Sequence, residues 1–161
     1  MVAAAKKGRG RRLVGDVVRI DLGDGTHTYA QILHEPLVAF FDIIRTDQEA
    51  ALDEIIAHKV LFKIWVMNRA VTSGRWPVVG HAEVPSELAK RQWFCKQDPI
   101  DLRKLVRHSD GEELPATFEE CEKLERAAVW SAEHVEDRLR DHWAGRPNKW
   151  VESLKIKKPP Q

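Results

Sequence analysis

Residues 38–44 are apolar at every position except Asp42, and this run constrains the fold more than any other segment. Seven residues make a typical strand and are too few for an ordinary helix. A strand that is apolar on both sides is usually covered by other elements on both faces of its sheet. We therefore expect a sheet whose central strand lies within residues 38–44.

The residues before this run follow a period of two. Val18, Ile20 and Leu22 alternate with residues of mixed character, which is typical of a strand that turns one face to the core. Gly23-Asp24-Gly25 then supplies residues that tolerate a positive φ, and apolar residues resume after it. This pattern predicts a β-hairpin over residues 16–34.

A helix is predicted directly after the central strand. Thr46 and Glu49 have the spacing of a capping box, in which each side chain binds the other residue's free backbone N–H. Ile55 and Ile56 fall on one face of the residues that follow, and acidic residues fall on the other. We therefore expect an amphipathic helix over residues 47–58.

The second half of the chain combines short strands with a C-terminal helix. Further strands are predicted at residues 60–67, 76–81 and 93–95, and residues 107–120 are predicted to form a loop. Ser131 is a good N-cap for a long helix that ends at Gly145. Residues 150–156 are expected to form a last short strand or a packed tail.

This order of elements favours the α+β class. Strands come first, one helix is interleaved among them, and helices follow, so we expect one domain with a mostly antiparallel sheet and a C-terminal helix. The body of that domain is predicted to cover residues 13–156. Residues 1–12 are expected to form a disordered basic tail, and residues 157–161 a second short tail.

No export signal or membrane span is recognisable in the sequence. The alanines near the N-terminus precede the basic residues and are too few for a signal peptide, and the longest apolar run ends at Asp42. A cytoplasmic protein is therefore expected. Cys95 and Cys121 lack the spacing of a metal site, and in that compartment they are expected to be reduced thiols in the core.

The net charge of +1 conceals a segregation of charge along the chain. Residues 1–12 and 155–161 hold eight basic residues and no acid, whereas residues 13–154 hold all 25 acids and 18 basic residues, a net charge of −7. Seven acids fall within residues 110–125 alone. Such a local negative field can select cationic partners, although it also serves solubility.

The motifs of catalysis and cofactor binding are missing from the sequence. It contains no phosphate-binding GxxxxGK[ST] loop and no GxSxG nucleophile elbow. His134 and His142 share the C-terminal helix, but eight residues separate their backbones by about 12 Å, which is too far for one ion. We therefore expect no enzyme activity, no catalytic residues, no cofactor and no metal.

Seven segments follow one another along about residues 13–156: Gly15–Ile20, Leu22–Gly25, Tyr29-Ala30, Phe41-Asp42, Trp76–Gly80, Leu124–Trp130 and His134–Leu139. In their order and spacing they resemble the immunity protein 26 family of bacterial polymorphic toxin systems. The resemblance implies an α+β domain that binds a cognate toxin in the cytoplasm and blocks it without catalysis. It assigns no functional residue.

The leading hypothesis is therefore a protein inhibitor whose acidic surface covers a basic toxin site, such as the active-site cleft of a nuclease. The candidate toxin-binding residues are Asp110, Glu112, Glu113, Glu119, Glu120, Asp137 and Asp141. The alternative is a nucleic-acid-associated module that uses the basic N-terminal tail. The near-neutral total charge and the acidic body make nucleic acid the less favoured partner. The oligomeric state stays open.

Overall fold

The computed structural model describes residues 11–161. In this part of the chain the strands are β1 (Asp16–Asp21), β2 (His27–Ile32), β3 (Leu37–Phe41), β4 (Val60–Val66), β5 (Val78–His81), β6 (Phe94–Gln97), β7 (Leu105–Ser109), β8 (Glu112–Pro115), β9 (Glu125–Arg126) and β10 (Val129–Trp130). The helices are α1 (Leu52–Ala57), α2 (Arg69–Thr72), α3 (Phe118–Glu122), α4 (Ala132–Ala144) and α5 (Lys149–Leu154).

Strands and helices are both present, which confirms the predicted α+β class, but the strands form two sheets where one was expected. The larger sheet has the order β10-β4-β3-β2-β1-β5, and the smaller one has the order β8-β7-β6-β9. Neighbouring strands are antiparallel except in the β10–β4 and β6–β9 pairs, as expected for a mostly antiparallel arrangement. The chain passes from the smaller sheet to the larger one between β9 and β10.

The central strand of the larger sheet is covered on both faces, as the apolar run predicts. Val38 and Phe40 of β3 belong to the main core, to which α4 contributes Val135 and Leu139. Phe41 belongs to a second core cluster on which α1 packs. The predicted hairpin is confirmed as the antiparallel β1–β2 pair, and β5 is an edge strand.

The first helix begins later than predicted. α1 starts at Leu52, and Ala51 precedes it without any side-chain cap. Tertiary contacts hold the preceding residues outside the helix: Glu49 pairs with Arg19 of β1, and the Ala50 N–H donates to the Tyr29 hydroxyl at 3.1 Å. The capping box predicted at Thr46 is therefore wrong, because these partners lie in the sheet rather than in the helix.

Residues 107–120 are also different from the predicted loop. They contain most of the antiparallel β7–β8 hairpin, and α3 begins at Phe118. Asp110 and Gly111 form the two-residue turn with φ of 47° and 80°. An Asp-Gly pair with positive φ at both positions is the favoured turn of a two-residue hairpin, so these residues connect strands rather than interrupt them.

The C-terminal helix agrees with its predicted caps, whereas the segment after it does not form a strand. The Ser131 side chain accepts the N–H of His134 at the start of α4, and Gly145 ends this helix with φ of 68°. Residues 149–154 form α5 instead of the short strand considered above, and Asn148 caps it. Trp150 packs against the main core, which agrees with the second alternative, a packed tail.

Residues 1–10 of the predicted basic tail lie outside the described residues. Arg12, the last residue of that tail, contacts the body of the protein. Its guanidinium donates to the Val66 carbonyl at 2.7 Å, to the Asn68 side chain at 2.9 Å and to the Pro36 carbonyl. Burial lowers the pKa of this guanidinium. These contacts hold the segment that leads into β1 against the end of β4.

The buried side chain of His27 is expected to make the free energy of unfolding depend on pH. His27 is 1% exposed, and its Nε2 lies 3.0 Å from the Tyr29 hydroxyl. Burial, and after it the nearby Arg19 charge, lowers the pKa of His27 below its ordinary value of 6.5. The unfolded chain then binds the proton more readily, so we expect the free energy of unfolding to fall as the pH drops below about 6.5.

Denaturant titrations between pH 7.5 and 5.5 measure this effect. The substitution His27→Gln removes the titrating group and keeps a hydrogen-bonding side chain, so it is expected to flatten the pH dependence. The substitution His142→Gln, at an exposed histidine, is measured in parallel as the control for the loss of a histidine in itself. An unchanged slope in His27→Gln would assign the pH dependence to other groups.

Candidate partner-binding surface

Three of the predicted toxin-binding residues lie on the β7–β8 hairpin. Asp110 is in the turn, and Glu112 and Glu113 follow it in β8, opposite Ser109 and His108. All three acidic residues are exposed. The hairpin therefore presents three carboxylates to solvent on one short segment.

Two of these carboxylates form surface ion pairs. Glu112 accepts from Nη2 of Arg91 at 2.7 Å, and Glu113 accepts from Nζ of Lys96 at 2.6 Å. The Lys96 ammonium lowers the pKa of Glu113. Exposed pairs of this kind contribute only about 0–1 kcal/mol, so a partner's cation could replace either one at little cost.

The next two predicted residues lie in the first turn of α3. A capping box closes this turn: the Thr117 hydroxyl accepts the Glu120 N–H at 3.1 Å, and the Glu120 carboxylate accepts the Thr117 N–H at 2.9 Å. Glu119 is exposed beside it. Within residues 11–161, neither Asp110 nor Glu119 has an ion-pair partner, whereas Glu120 has a structural role at the helix start.

Asp137 and Asp141 lie on a different element, the long helix α4. Asp137 accepts from Nη2 of Arg140 at 2.6 Å and from the indole N–H of Trp150 at 3.0 Å. The Trp150 hydrogen bond, and after it the Arg140 guanidinium, lowers the pKa of Asp137. Asp141 accepts from Nδ2 of Asn148 at 2.9 Å. Both carboxylates therefore connect α4 to α5.

A cleft of about 910 Å³ lies where the two sheets meet. Three aromatic rings line it: the ring centroid of Trp65 is 4.4 Å from that of Phe94 and 5.7 Å from that of His108. Its other apolar lining residues include Leu33, Leu37, Leu88 and Val129. Its volume is within the range of ligand-binding pockets, and its lining is mostly apolar.

The cleft adjoins the predicted acidic residues. Asp110 lines it directly, and so does Arg91, which Glu112 holds in place. Glu35 lines it as well and accepts from Nδ2 of Asn68 at 2.6 Å. The β7–β8 turn is therefore both an acidic segment and part of the border of an apolar cleft.

Sequence reasoning did not identify this cleft. Its lining residues come from segments as distant in the chain as Val14, Glu35, Trp65, Phe94 and Val129. No local motif connects these segments, because they meet only where the two sheets join. One signal near the site was available, since the Asp-Gly pair at residues 110–111 is typical of a hairpin turn.

The two cysteines are paired, so the expectation of free thiols is wrong. Cys95 of β6 and Cys121 of α3 form a disulfide, and both residues are buried, as expected. They belong to a small cluster with Leu105 beneath the four-stranded sheet. The sequence separation of 26 residues concealed the pairing, because contact between the two positions depends on how α3 packs on β6.

The part of the chain that the structure describes contains no candidate metal site and no membrane-spanning helix. In residues 11–161 no group of three or more His, Cys, Asp or Glu side chains is placed to hold a metal ion. His134, one of the two histidines on α4, instead stacks on the ring of Trp150, with the centroids 3.5 Å apart. No helix in this part of the chain has the length and apolar character needed to cross a membrane.

Comparison with known proteins identifies a family. A model of the family described as Immunity protein 26 matches residues 14–106, which is more than half of the chain. No curated protein matches, and no solved structure matches. The matched region contains β1 to β6 and most of the cleft lining, whereas all seven predicted toxin-binding residues follow it. The chain belongs to the immunity protein 26 family.

Proposed function

We propose that this protein binds a cognate toxin domain of a bacterial polymorphic toxin system and neutralises it without catalysis of its own. Membership of the immunity protein 26 family is the observation that carries this proposal. An inhibitor of this kind needs a complementary surface rather than a reactive centre. The site of action that we infer is the cytoplasm, where the family resemblance places such inhibitors.

The surface that we assign to the toxin, named the acidic face, consists of the exposed acidic residues of two successive segments, the β7–β8 hairpin and the first turn of α3: Asp110, Glu112, Glu113, Glu119 and Glu120. The Arg91–Glu112 and Lys96–Glu113 ion pairs are exposed, so a partner's cation can replace them. The seven acids within residues 110–125 add a local negative field that attracts a cationic partner. Such attraction raises association rates and selects among partners.

A basic active-site cleft, such as that of a nuclease, has the chemistry that this face would complement. Asp137 and Asp141 are further candidates for toxin binding, but their carboxylates already accept hydrogen bonds within the protein. Asp137 binds Arg140 and Trp150, and Asp141 binds Asn148. Reversing their charge would disturb the contact between α4 and α5. We therefore leave them out of the first binding experiment.

The experiment is a charge reversal on the acidic face. The triple substitution Glu112→Lys, Glu113→Lys and Glu119→Lys is expected to weaken binding to the toxin domain encoded beside this gene by about tenfold to hundredfold, mainly through slower association. Glu120 is kept because it closes the capping box of α3. Surface plasmon resonance at two salt concentrations measures the rates, and the loss should shrink at high salt.

The control carries the same change in net charge elsewhere. Its three substitutions, all at exposed acidic residues away from the acidic face, are Asp47→Lys, Asp53→Lys and Glu152→Lys. Equal affinity of the triple variant and this control would overturn the acidic face as the toxin site but leave the inhibitor role intact. A wild-type chain that neither binds nor inhibits that toxin domain would refute the function itself.

A further inference from the structure

Exposed apolar side chains are concentrated at one border of the cleft. Val14 is 54% exposed and Val129 is 51% exposed, and both line the cleft. Leu13 and Met67 are also exposed. Leu13 precedes Val14 in the chain, and Met67 follows Val66, whose carbonyl accepts from Arg12. We call these four residues the apolar edge. Of the seven large apolar residues that are exposed in residues 11–161, four belong to it.

Specific contacts hold the apolar edge together. Val129 of β10 is paired with Trp65 of β4, and the Met67 N–H donates to the Trp130 carbonyl at 2.9 Å. The Arg12 guanidinium donates to the Val66 carbonyl and so holds the segment that contains Leu13 and Val14. Hydrogen bonds therefore place these residues beside β4 and β10 of the larger sheet. Exposed apolar residues that gather at one place are typical of an interaction site.

Most of the charges beside the apolar edge are balanced in surface pairs. Lys90 and Arg91 line the cleft, and they pair with Glu87 at 2.9 Å and with Glu112 at 2.7 Å. Asp110, by contrast, has no ion-pair partner among the described residues. The acidic face begins at Asp110 and continues along the hairpin, so a carboxylate without a partner among the described residues lies at this border of the cleft.

These observations define the chemistry of the occupant. A partner segment that fills the cleft must bring apolar side chains to Trp65 and Phe94, and cations to the border near Asp110. A second copy of this chain that docked through the same border would bring a second Asp110 hairpin against the first, and like charges disfavour that contact. A toxin loop with an apolar tip and flanking Lys or Arg residues is complementary in both respects.

We propose that the cleft and the apolar edge form the anchor site for a protruding loop of the cognate toxin, with an apolar tip flanked by Lys or Arg. This inference rests on the proposed function and names the contact within it. Interface energy is usually concentrated in a few apolar anchors that fill pockets, while charges around them guide association. The acidic face would then supply the rate of association, and the anchor site the lifetime of the complex.

A pair of valine substitutions tests the anchor without changing the charge. Val14→Asn combined with Val129→Asn is expected to weaken toxin binding by at least tenfold, through faster dissociation. The matched control is Val78→Asn combined with Val79→Asn, at valines that are 43% and 37% exposed on β5, the opposite edge of the same sheet. This control is expected to bind as the wild type does.

The readings of this experiment separate the two proposals. If the wild type binds and both valine pairs bind equally well, the anchor site is refuted and the proposed function stands. If the wild type itself fails to bind the toxin domain encoded beside this gene, the proposed function fails and the anchor site with it. Circular dichroism and the unfolding temperature confirm that both variants remain folded.

Photocrosslinking identifies the occupant directly. A benzoylphenylalanine side chain at position 129 is expected to crosslink to the toxin domain, and the same group at position 78 is not. Mass spectrometry of the crosslinked peptide should find an apolar residue with Lys or Arg within a few positions. A crosslink to an acidic toxin peptide, or to a second copy of this chain, would overturn the proposal.

Discussion

Trp76→Ala is expected to lower the free energy of unfolding by about 4 kcal/mol, because a fully buried aromatic side chain is replaced by a cavity. Trp76 is 1% exposed, and its ring meets that of Phe40 edge to face at 5.9 Å. Its indole N–H points to the buried Glu136 carboxylate of α4 at 3.5 Å. One side chain thus connects the segment before β5 with the central strand and the long helix. Urea denaturation followed by circular dichroism measures the loss.

The matched substitution is Trp76→Phe. It keeps an aromatic ring against Phe40 and removes the indole N–H, so the expected loss is smaller, about 1–2 kcal/mol. Glu136 would still accept from the Arg75 guanidinium, whose Nε lies at 2.8 Å. A Trp76→Ala variant within 1 kcal/mol of the wild type would contradict the assignment of Trp76 to the main core.

Loss of the Cys95–Cys121 disulfide is expected to lower the free energy of unfolding by about 3 kcal/mol. The crosslink closes a loop of 26 residues, and closing a loop of that length lowers the entropy of the unfolded chain and so raises its free energy by about 3 kcal/mol. The cluster around the bond has few buried apolar residues, so little other apolar packing holds α3 there. Denaturant titrations of oxidised and reduced wild-type protein measure the difference.

The variant Cys95→Ala combined with Cys121→Ala provides the control, because its stability is expected to be independent of reductant. Disulfides are rare in the reducing cytosol. Thiol labelling of protein taken directly from cells therefore determines whether the bond forms where the protein acts. Two free thiols after purification in air, together with equal stability with and without reductant, would contradict the disulfide and restore the expectation of reduced cysteines.

Period and cap patterns identified most of the fold. The alternation before Leu22 predicted the first hairpin, and the apolar run at residues 38–44 predicted a strand covered on both faces. Ser131 and Gly145 marked the two ends of α4 to the residue. These features follow from contacts within a few residues of each other, so the local sequence contains the required information.

Two capping-box motifs show that local sequence alone does not decide where a helix begins. Thr46 and Glu49 have the required spacing, yet Glu49 pairs with Arg19 in the sheet and no helix begins there. Thr117 and Glu120 have the same spacing and form the box at α3. The motif is local in both cases, but a partner from a distant strand competes with it in only one of them.

The candidate site could likewise be predicted only in part from the sequence. The concentration of acid between residues 110 and 125 is visible in the sequence, but its distribution over a hairpin, a helix cap and surface ion pairs is not. Asp137 and Asp141 differ from the hairpin acids only through their bonds to Trp150 and Asn148. Which charge is free for a partner depends on which cations the fold brings beside it.

By itself the sequence determined the α+β class, the first hairpin, the central strand, the limits of α4, the acidic character of the body and the resemblance to the immunity protein 26 family. Only the tertiary structure decided the pairing of Cys95 with Cys121 and the cleft between Trp65, Phe94 and Val129. The physical reason is distance along the chain. Periodicity and caps depend on neighbouring residues, whereas a cleft or a crosslink exists only once the two sheets have packed together.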